Sequence, residues 1–252
     1  MDDSACREKE IYNQQSLKRE TYNIVFSYTR AYYNQYINSL TKNIFRYAEG
    51  KHVLELGSSS WYRYIYSNNI KPKKITCINI ANVELEKGIR LAESTREITN
   101  IEFMIMDANN LAFADRTFDM VFGGAILHHL NYFKAIAEIH RVLKKDGQVM
   151  FHEPLGVNPV GKLVRILTPD ARTMDEKPLG YRELNALDDL FKTEYYYEQL
   201  LSVPLGIISR YFCKNPRNLL TKYAYYMDSF IDKNIAILRP FYRYVLIHGE
   251  KI

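Results

Sequence analysis

Cysteine is scarce in this chain of 252 residues, which has only Cys6, Cys77 and Cys213, all far apart. An odd number without metal-ligand spacing predicts neither a disulfide framework nor a metal site, and it fits a reducing cytosol. The chain also lacks an apolar run long enough to span a bilayer, and its first ten residues are too polar for a signal peptide. We therefore expect a cytoplasmic protein without stable membrane insertion.

A strong excess of one charge is missing as well. The net charge is +5 and is spread along the chain, and the short basic cluster at 71–74 is typical of a solvated loop. The sequence therefore predicts no nucleic-acid partner. What the chain does have is tyrosine, with 21 residues. These predict an aromatic cavity or interface, or simply aromatic filling of a core.

The segment 52–62 is the pattern on which the fold prediction depends. An apolar run at 52–56 ends in Gly57, Ser58, Ser59 and Ser60, which predicts a buried strand, a tight turn and a helix capped by Ser60. Strand, turn and helix N-terminus are typical of a nucleotide cradle, although an ordinary strand-to-helix turn has the same pattern. The further glycines of a dinucleotide fingerprint are absent, which disfavours an NAD-dependent enzyme.

Strands and helices alternate from this segment to residue 154. Strands are predicted at 52–56, 75–80, 101–106, 118–122 and 148–152, with helices at about 61–69 and 83–96 and from Asn131 onward. A turn is predicted at 144–147. Five alternations predict a parallel sheet with helices on both faces. Ligands of such sheets bind at the carboxyl ends of the strands.

The flanking regions are predicted from weaker patterns. Residues 8–48 have the spacing of two helices, and 219–238 that of a tyrosine-rich helix without a basic face for a membrane surface. Residues 155–190 contain prolines and no sheet pattern, which predicts a lid with acceptor residues such as Asn158, Arg165 and Arg172. Strands are expected at 193–197 and 242–248.

Four segments, in this order and spacing, resemble class I S-adenosylmethionine-dependent methyltransferases of the small-molecule branch. They are ELG from Glu55, NI from Asn79, MDANNLAFADRTFDMV from Met106 and HRVLKKDGQVMFHEP from His140. The resemblance implies an α/β fold with a Rossmann-like, seven-stranded, mostly parallel sheet and helices on both faces. It further implies an N-terminal helical lid over 1–48, a cofactor-binding core over 49–154, and a helical lid inserted after the fifth strand. Residues 155–252 would hold this acceptor-binding insertion and the C-terminal strands that complete the domain.

The resemblance also implies a cofactor, S-adenosyl-L-methionine, which leaves as S-adenosyl-L-homocysteine. Its binding residues would be Glu55, Gly57 and Ser58 at the methionine end, Asn79 at the ribose, Ile80, Asp107 and Ala108 at the adenine, and Ala125 under the sulfonium. Local roles stay open for two of them, since Glu55 also fits a strand-end carboxylate satisfied by nearby amides and Asp107 a loop-start residue that caps a turn. Two features depart from the family pattern, because serines replace glycines after Gly57 and Asn79 stands where a carboxylate is common. A neutral amide in place of a carboxylate costs about 1–2 kcal/mol of ribose binding.

Three residues are candidate catalytic groups. Methyl transfer from a sulfonium needs alignment above all, and a base only where the acceptor must lose a proton. His128 and His129 follow the fourth strand, and we favour His129 as the acceptor contact, although a histidine packed at a helix start fits equally. Glu153 ends the fifth strand as a second candidate base, or as a carboxylate that bridges to the lid. His152 should point the other way.

The predicted function is methyl transfer to the oxygen, nitrogen or carbon of a small molecule, with natural products and lipid-like or aromatic metabolites as candidate acceptors. The protein would be a monomer or homodimer. Two alternatives stay open. In one, the fold has lost methyl transfer and serves as a binding protein. In the other, it catalyses a cyclisation or isomerisation.

Overall fold

A computed structural model of the protein describes residues 27–95, 100–158 and 177–252. Seven strands in these ranges form one sheet in the order β3-β2-β1-β4-β5-β7-β6. They are β1 (His52–Leu56), β2 (Lys74–Asn79), β3 (Ile101–Ile105), β4 (Phe118–Gly124), β5 (Leu143–Pro154), β6 (Phe191–Glu198) and β7 (Tyr244–Lys251). All neighbours pair in parallel except β7, which runs antiparallel to β5 and β6. The predicted Rossmann-like, mostly parallel sheet is confirmed.

Helices connect the strands. Those with α-helical geometry are α1 (Tyr33–Phe45), α2 (Ser60–Tyr64), α3 (Asn82–Thr95), α4 (Tyr132–Val142), α5 (Tyr181–Asp188), α6 (Ser202–Phe212) and α7 (Leu219–Asn234). Within the described ranges, 3₁₀ segments lie at Arg46–Ala48, Tyr66–Asn68, Leu127–His129 and Ala236–Phe241. The first predicted N-terminal helix and the lid residues Arg165 and Arg172 lie outside the described residues.

Two helix starts differ from the prediction. Ser60 is the first residue of α2, and neither Ser59 before it nor Asn131 before α4 makes a capping bond with its side chain. At α2 a carboxylate from β1 caps the helix instead, because Glu55 Oε1 accepts hydrogen bonds from the amides of Ser59 and Ser60. The acceptor therefore comes from the strand before the turn, four and five residues ahead of the two amides.

The predicted turn at 144–147 lies within β5. The β4–β5 pairing shifts between Phe118–Leu143 and Met120–Gln148, so the extra residues form an irregularity in the strand. A side chain at Gly147 would come within 2.9 Å of the Lys144 carbonyl oxygen, which explains the glycine.

Helix α6 was not predicted from the sequence pattern. Its Pro204 stands in the first turn, where a missing amide proton costs little. Its Gly206 lowers helix propensity, but a Cβ there would lie 3.0 Å from the backbone of Thr29. Close packing therefore requires the residue that obscures the helix in the sequence.

By its internal contacts the chain divides into two units. The larger consists of Ile37–Glu198 and Arg239–Ile252 and contains the sheet. Its core includes Phe45, Trp61 and Tyr64 together with Phe122 and Met150 of the sheet. The Phe45 and Phe122 rings meet edge to face with centroids 5.0 Å apart. Each such buried aromatic stabilises the fold by roughly 1.5–3 kcal/mol, and this packing holds α2 against the sheet.

In the described residues the smaller unit comprises 27–36 and 199–238. Its centre is the buried carboxylate of Asp228, which accepts hydrogen bonds from Tyr33 Oη at 2.8 Å, Leu201 N at 2.6 Å and Ser202 Oγ at 2.7 Å. These bonds tie α7 to the start of α6. No helix in the described part of the chain is long and apolar enough to cross a membrane.

Candidate active site

The turn after β1 depends on the backbone of Gly57. This residue has φ +116°, a conformation that side-chain-bearing residues rarely adopt, and its amide donates to Ile78 O at 2.8 Å. A Cβ at Gly57 would meet nothing closer than 3.7 Å, so the backbone angle rather than crowding demands glycine. The turn therefore brings bare main chain to the carboxyl edge of the sheet.

Glu55 organises this turn from inside the protein. Its side chain is fully buried, with Oε1 at 3.0 Å from Ser59 N and 2.6 Å from Ser60 N, and Oε2 at 3.1 Å from Cys77 Sγ. Burial raises the pKa of the Glu55 carboxyl, while the hydrogen bonds from Cys77, Ser60 and Ser59 oppose that rise. Glu55 thus shapes the turn, and its predicted contact with a cofactor stays a prediction.

The two departures from the family pattern are hydrogen-bonded to each other. Asn79 Nδ2 donates to Ser58 Oγ at 3.3 Å, and Ser58 Oγ donates to Glu84 O at 2.9 Å. Asn79 Oδ1 in turn accepts from Ala81 N at 3.0 Å. An amide at position 79 supplies the N–H that a carboxylate lacks, so Ser58 and Asn79 form one unit.

Ile80, Asp107 and Ala108 lie at the ends of β2 and β3. The Ile80 side chain is 70% exposed, while Ala108 is buried. Asp107 Oδ1 accepts from the amide and side chain of Asn109, both at 2.8 Å. Within the described residues no hydrogen bond reaches Asp107 Oδ2. This part of the edge therefore presents an apolar surface beside a carboxylate oxygen that can accept.

Ala125 stands at the end of β4 in a left-handed conformation. Its φ is +54°, its amide donates to His152 O at 2.9 Å, and its side chain is exposed. A Cβ on the preceding Gly124 would lie 3.0 Å from Ser60 Oγ, so β4 ends against the start of α2. The left-handed residue ends β4 and leads into the 3₁₀ segment Leu127–His129.

His128 and Glu153 form a buried pair. Glu153 Oε2 lies 2.7 Å from His128 Nδ1, and Oε1 accepts from Ile126 N at 2.8 Å and Leu127 N at 2.9 Å. Glu153 is fully buried and His128 nearly so, whereas His129 is exposed. The two imidazole rings lie with centroids 4.1 Å apart. The structure thus brings all three predicted catalytic residues together.

The returning end of the predicted lid reaches this pair. Lys177 N donates to His128 O at 2.9 Å, and the backbone of Leu179 exchanges hydrogen bonds with Pro154 and Gly156. Asn158 is buried, and its Nδ2 donates to Phe241 O. Residues 177–179 therefore border the His128–Glu153 pair through main-chain contacts.

Two residues at this edge escaped the sequence prediction. Glu198 ends β6, and its Oε1 lies 2.8 Å from His152 Nε2, with both side chains largely buried. Burial raises the pKa of the Tyr64 phenol, and the nearby carboxylates of Glu198, Glu153 and Glu55 add to the rise. The rule that ligands bind at the carboxyl ends of strands could have identified Glu198 from the sequence. No sequence signal separates Tyr64 from the chain's other tyrosines.

The predicted residues form two groups on the same edge. Ser58 and Asn79 lie at the ends of β1 and β2, and the His128–Glu153 pair lies at the ends of β4 and β5. Since β1 and β4 stand between β2 and β5, Asn79 and Glu153 are about 14 Å apart at ordinary strand spacing. The edge can therefore hold an extended ligand with a proton acceptor toward one end.

Comparison with known proteins shows what the residues around this edge are similar to. Residues 54–151 match the family model described as a methyltransferase domain. The phthiotriol/phenolphthiotriol dimycocerosates methyltransferase of Mycobacterium leprae is 28% identical over 137 residues, which cover 53% of this chain and 47% of that protein. The chain spans about half the length of the curated relatives it matches.

Solved structures agree on the fold. Geranyl diphosphate C-methyltransferase from Streptomyces coelicolor A3(2) superposes with a TM-score of 0.59 and 12% identity, covering 89% of this chain and 82% of that one. The [4+2]-cyclase SpnF superposes with a TM-score of 0.55 and 17% identity, covering 85% and 80%. At such identity the likeness shows the fold alone. Residues 54–151 therefore match a methyltransferase domain, in a chain that shares the Rossmann-like fold of these solved methyltransferases.

Proposed function

We propose that this protein transfers the methyl group of S-adenosylmethionine to a small-molecule acceptor and that His128, held by Glu153, takes up the acceptor's proton. The observation that carries the proposal is the buried His128–Glu153 pair, which lies at the carboxyl edge of a methyltransferase domain. General-base catalysis of this kind contributes about 10²–10⁴-fold to a rate.

The residues at β1 to β4 suit the cofactor. When bound, S-adenosylmethionine supplies a methyl group on a positively charged sulfonium, which a nucleophile displaces. The exposed Ile80 offers an apolar surface for the adenine, and Asp107 Oδ2 together with the Ala108 amide would bind its polar edge. Asn79 would bind the ribose. The turn at Glu55, Gly57 and Ser58 would hold the methionine end, and Ala125 would lie beneath the sulfonium.

The geometry of the pair determines what His128 can do. An ionised carboxylate only accepts hydrogen bonds, so Glu153 at 2.7 Å keeps the proton of neutral His128 on Nδ1. Nε2 is then left as the proton acceptor. The amides of Ile126 and Leu127 keep Glu153 from turning away, and its charge stabilises the imidazolium that forms. The exposed His129 would contact the acceptor.

This assignment narrows the acceptor chemistry. A base is needed for a hydroxyl or an acidic carbon, whereas an amine attacks through its lone pair. We therefore propose an oxygen or activated-carbon acceptor. The named relatives act on acceptors as different as geranyl diphosphate and phthiotriol dimycocerosates, which supports a small molecule without selecting its class.

One observation favours a second candidate. Asn79 uses its amide to bind Ser58 and Ala81, at the position where the family commonly offers a carboxylate to the ribose. Weaker ribose binding would suit a protein that keeps the fold and binds ligands without methyl transfer. A cyclase that leaves product mass unchanged is the related alternative, and SpnF shares the fold.

Calorimetric titration with S-adenosylmethionine and S-adenosylhomocysteine tests the cofactor. We expect micromolar binding that Asp107→Ala weakens by about tenfold or more, because a charge-assisted bond to the adenine is lost. Glu86→Ala, which removes an exposed carboxylate of α3, is the matched control and should bind normally. Absence of binding at millimolar ligand, with and without candidate acceptors, would exclude the proposal.

Mass spectrometry of products then separates the candidates. A gain of one methylene by an acceptor identifies methyl transfer, and an unchanged mass identifies cyclisation or isomerisation. Binding of the cofactor without any product would favour the binding protein.

A further inference from the structure

Helix α7 exposes four large apolar or aromatic side chains on one side. Leu219, Tyr223, Tyr226 and Phe230 are 85%, 61%, 59% and 55% exposed. At 100° per residue these four side chains fall within about 60° of each other around the helix axis, so they form one continuous stripe. We call them the α7 stripe.

The opposite side of the helix is buried, and both apolar and polar side chains line it. It consists of Thr221, Ala224, Asp228 and Ile231, and Asp228 there is bonded to Tyr33 and Ser202. An ordinary surface helix buries its apolar side and exposes its polar one. The stripe is separate from the side that α7 buries, so folding of the unit does not account for it, and an exposed apolar patch of this kind marks an interaction surface.

Lysines border the stripe on one edge. By the same helical geometry Lys222 and Lys233 lie about 20–40° from Tyr226. The Lys222 ammonium sits 6.0 Å from the centre of the Tyr226 ring, which joins the charge to the stripe directly. The sequence pattern predicted no basic face on this helix. This stays a prediction for the helix as a whole, and the two lysines add positive charge along this one edge of the stripe.

The positive charge around the stripe favours an anionic surface over a second copy of the chain as its partner. Residues 199–238 contain five lysines and arginines against two aspartates, and one of these, Asp228, is buried. A second copy of the chain would bring like charges together across a twofold contact. An anionic lipid surface attracts them, and tyrosine and phenylalanine are the side chains that favour the boundary between water and lipid.

We propose that the α7 stripe docks the protein on the surface of an anionic phospholipid bilayer. The aromatic side chains would enter the headgroup region while Lys222 and Lys233 contact lipid phosphates. The helix would lie in the plane of the interface rather than cross it, in keeping with its 16 residues. Binding should weaken with added salt, because the lysine contribution is screened.

Co-sedimentation of the full chain with vesicles tests this. We expect binding to phosphatidylcholine vesicles that contain phosphatidylglycerol, and much weaker binding to phosphatidylcholine alone. The triple variant Tyr223→Ser, Tyr226→Ser and Phe230→Ser should lose at least about a hundredfold in partitioning. Lys222→Gln with Lys233→Gln should lose about tenfold or more, and only on the anionic vesicles.

The matched control replaces exposed aromatics of the other unit, Tyr62→Ser with Tyr181→Ser, and should leave binding unchanged. Since all altered side chains are exposed, unchanged circular dichroism and melting temperature confirm folding. Lack of vesicle binding by the wild type, or equal binding by the triple variant, would overturn the proposal. Self-association in sedimentation velocity that the triple variant abolishes, without vesicle binding, would identify a second copy as the partner and overturn it too.

Discussion

Two histidine–carboxylate pairs flank the end of β5, and they are built differently. His152 and Glu153 are neighbours in a strand, so their side chains point to opposite faces of the sheet. Glu153 meets His128 at 2.7 Å, and His152 meets Glu198 at 2.8 Å. Glu153 also accepts two backbone amides, whereas His152 Nε2 and Glu198 Oε1 lie close together without the alignment of a hydrogen bond.

The difference lies in what holds each carboxylate in place. Backbone amides have fixed positions, so Glu153 keeps its orientation whether or not its histidine carries a proton. Glu198 depends on one flexible side chain and lies near Tyr64. A fixed carboxylate suits a proton acceptor that must be aligned before reaction. We therefore expect Glu153 to matter for chemistry and Glu198 to matter mainly for the shape and stability of the edge.

The substitutions Glu153→Gln and Glu198→Gln test most directly whether the two carboxylates have different roles. Once an acceptor is known, Glu153→Gln should lower kcat by about 10²–10⁴-fold, because the amide no longer fixes the His128 tautomer or stabilises its cation. Glu198→Gln should change kcat by less than about tenfold. Steady-state kinetics measures both, with calorimetric cofactor binding as the control that each variant is intact.

Equal losses of kcat in the two variants would contradict the distinction. Equal cofactor binding with a loss confined to Glu153→Gln would support it.

Substitutions of Ser58 and Asn79, at the other end of the edge, should change cofactor affinity by a smaller factor. Asn79→Asp should improve S-adenosylhomocysteine affinity only slightly, because its oxygen would face Ser58 Oγ, whose proton is donated to Glu84 O. Adding Ser58→Gly removes this conflict, so the double variant should bind about tenfold more tightly than wild type. Calorimetry of the wild type, both single variants and the double variant measures the coupling. Additive effects would show that the two positions act independently.

The smallest expected effect is on the pH dependence of folding stability, and it concerns Glu55. This residue resembles Glu153 because its carboxylate also accepts hydrogen bonds from two backbone amides. Burial raises the folded-state pKa of Glu55. Its contribution to stability is therefore complete below the unfolded pKa of about 4.3 and lost as pH rises through the folded value. Glu138 is the opposite case, because the hydrogen bond from Arg141 lowers its pKa. Its contribution is present above the unfolded pKa and lost as pH falls through the folded one.

Urea unfolding between about pH 3 and pH 7 checks both signs. Relative to wild type, Glu55→Gln should gain free energy of unfolding as pH rises, and Glu138→Gln should lose it. The two variants serve as controls for each other. Parallel pH profiles would show that the burial of Glu55 has no electrostatic cost.

The alternating apolar runs and the glycine turn were enough to predict the parallel sheet and the edge at which Gly57, Asn79, Asp107, Ala125 and Glu153 meet. They were enough because strand period and turn chemistry are local properties of the chain. Helix α6 was missed for a non-local reason, since its Gly206 is explained by the approach of Thr29. For Glu55 the sequence left open a strand-end carboxylate satisfied by local amides, and the structure shows these amides to be those of Ser59 and Ser60.

The sequence by itself determined the class of fold, the methyltransferase motifs and the list of polar residues at the strand ends. Only the tertiary structure decided which of these residues are partners: Glu153 with His128, Glu198 with His152, and Asn79 with Ser58. It also decided that α7 turns its aromatic side outward. The physical reason is the same in each case. Periodicity fixes which side of an element a residue occupies, whereas its partner depends on elements that meet it from distant parts of the chain.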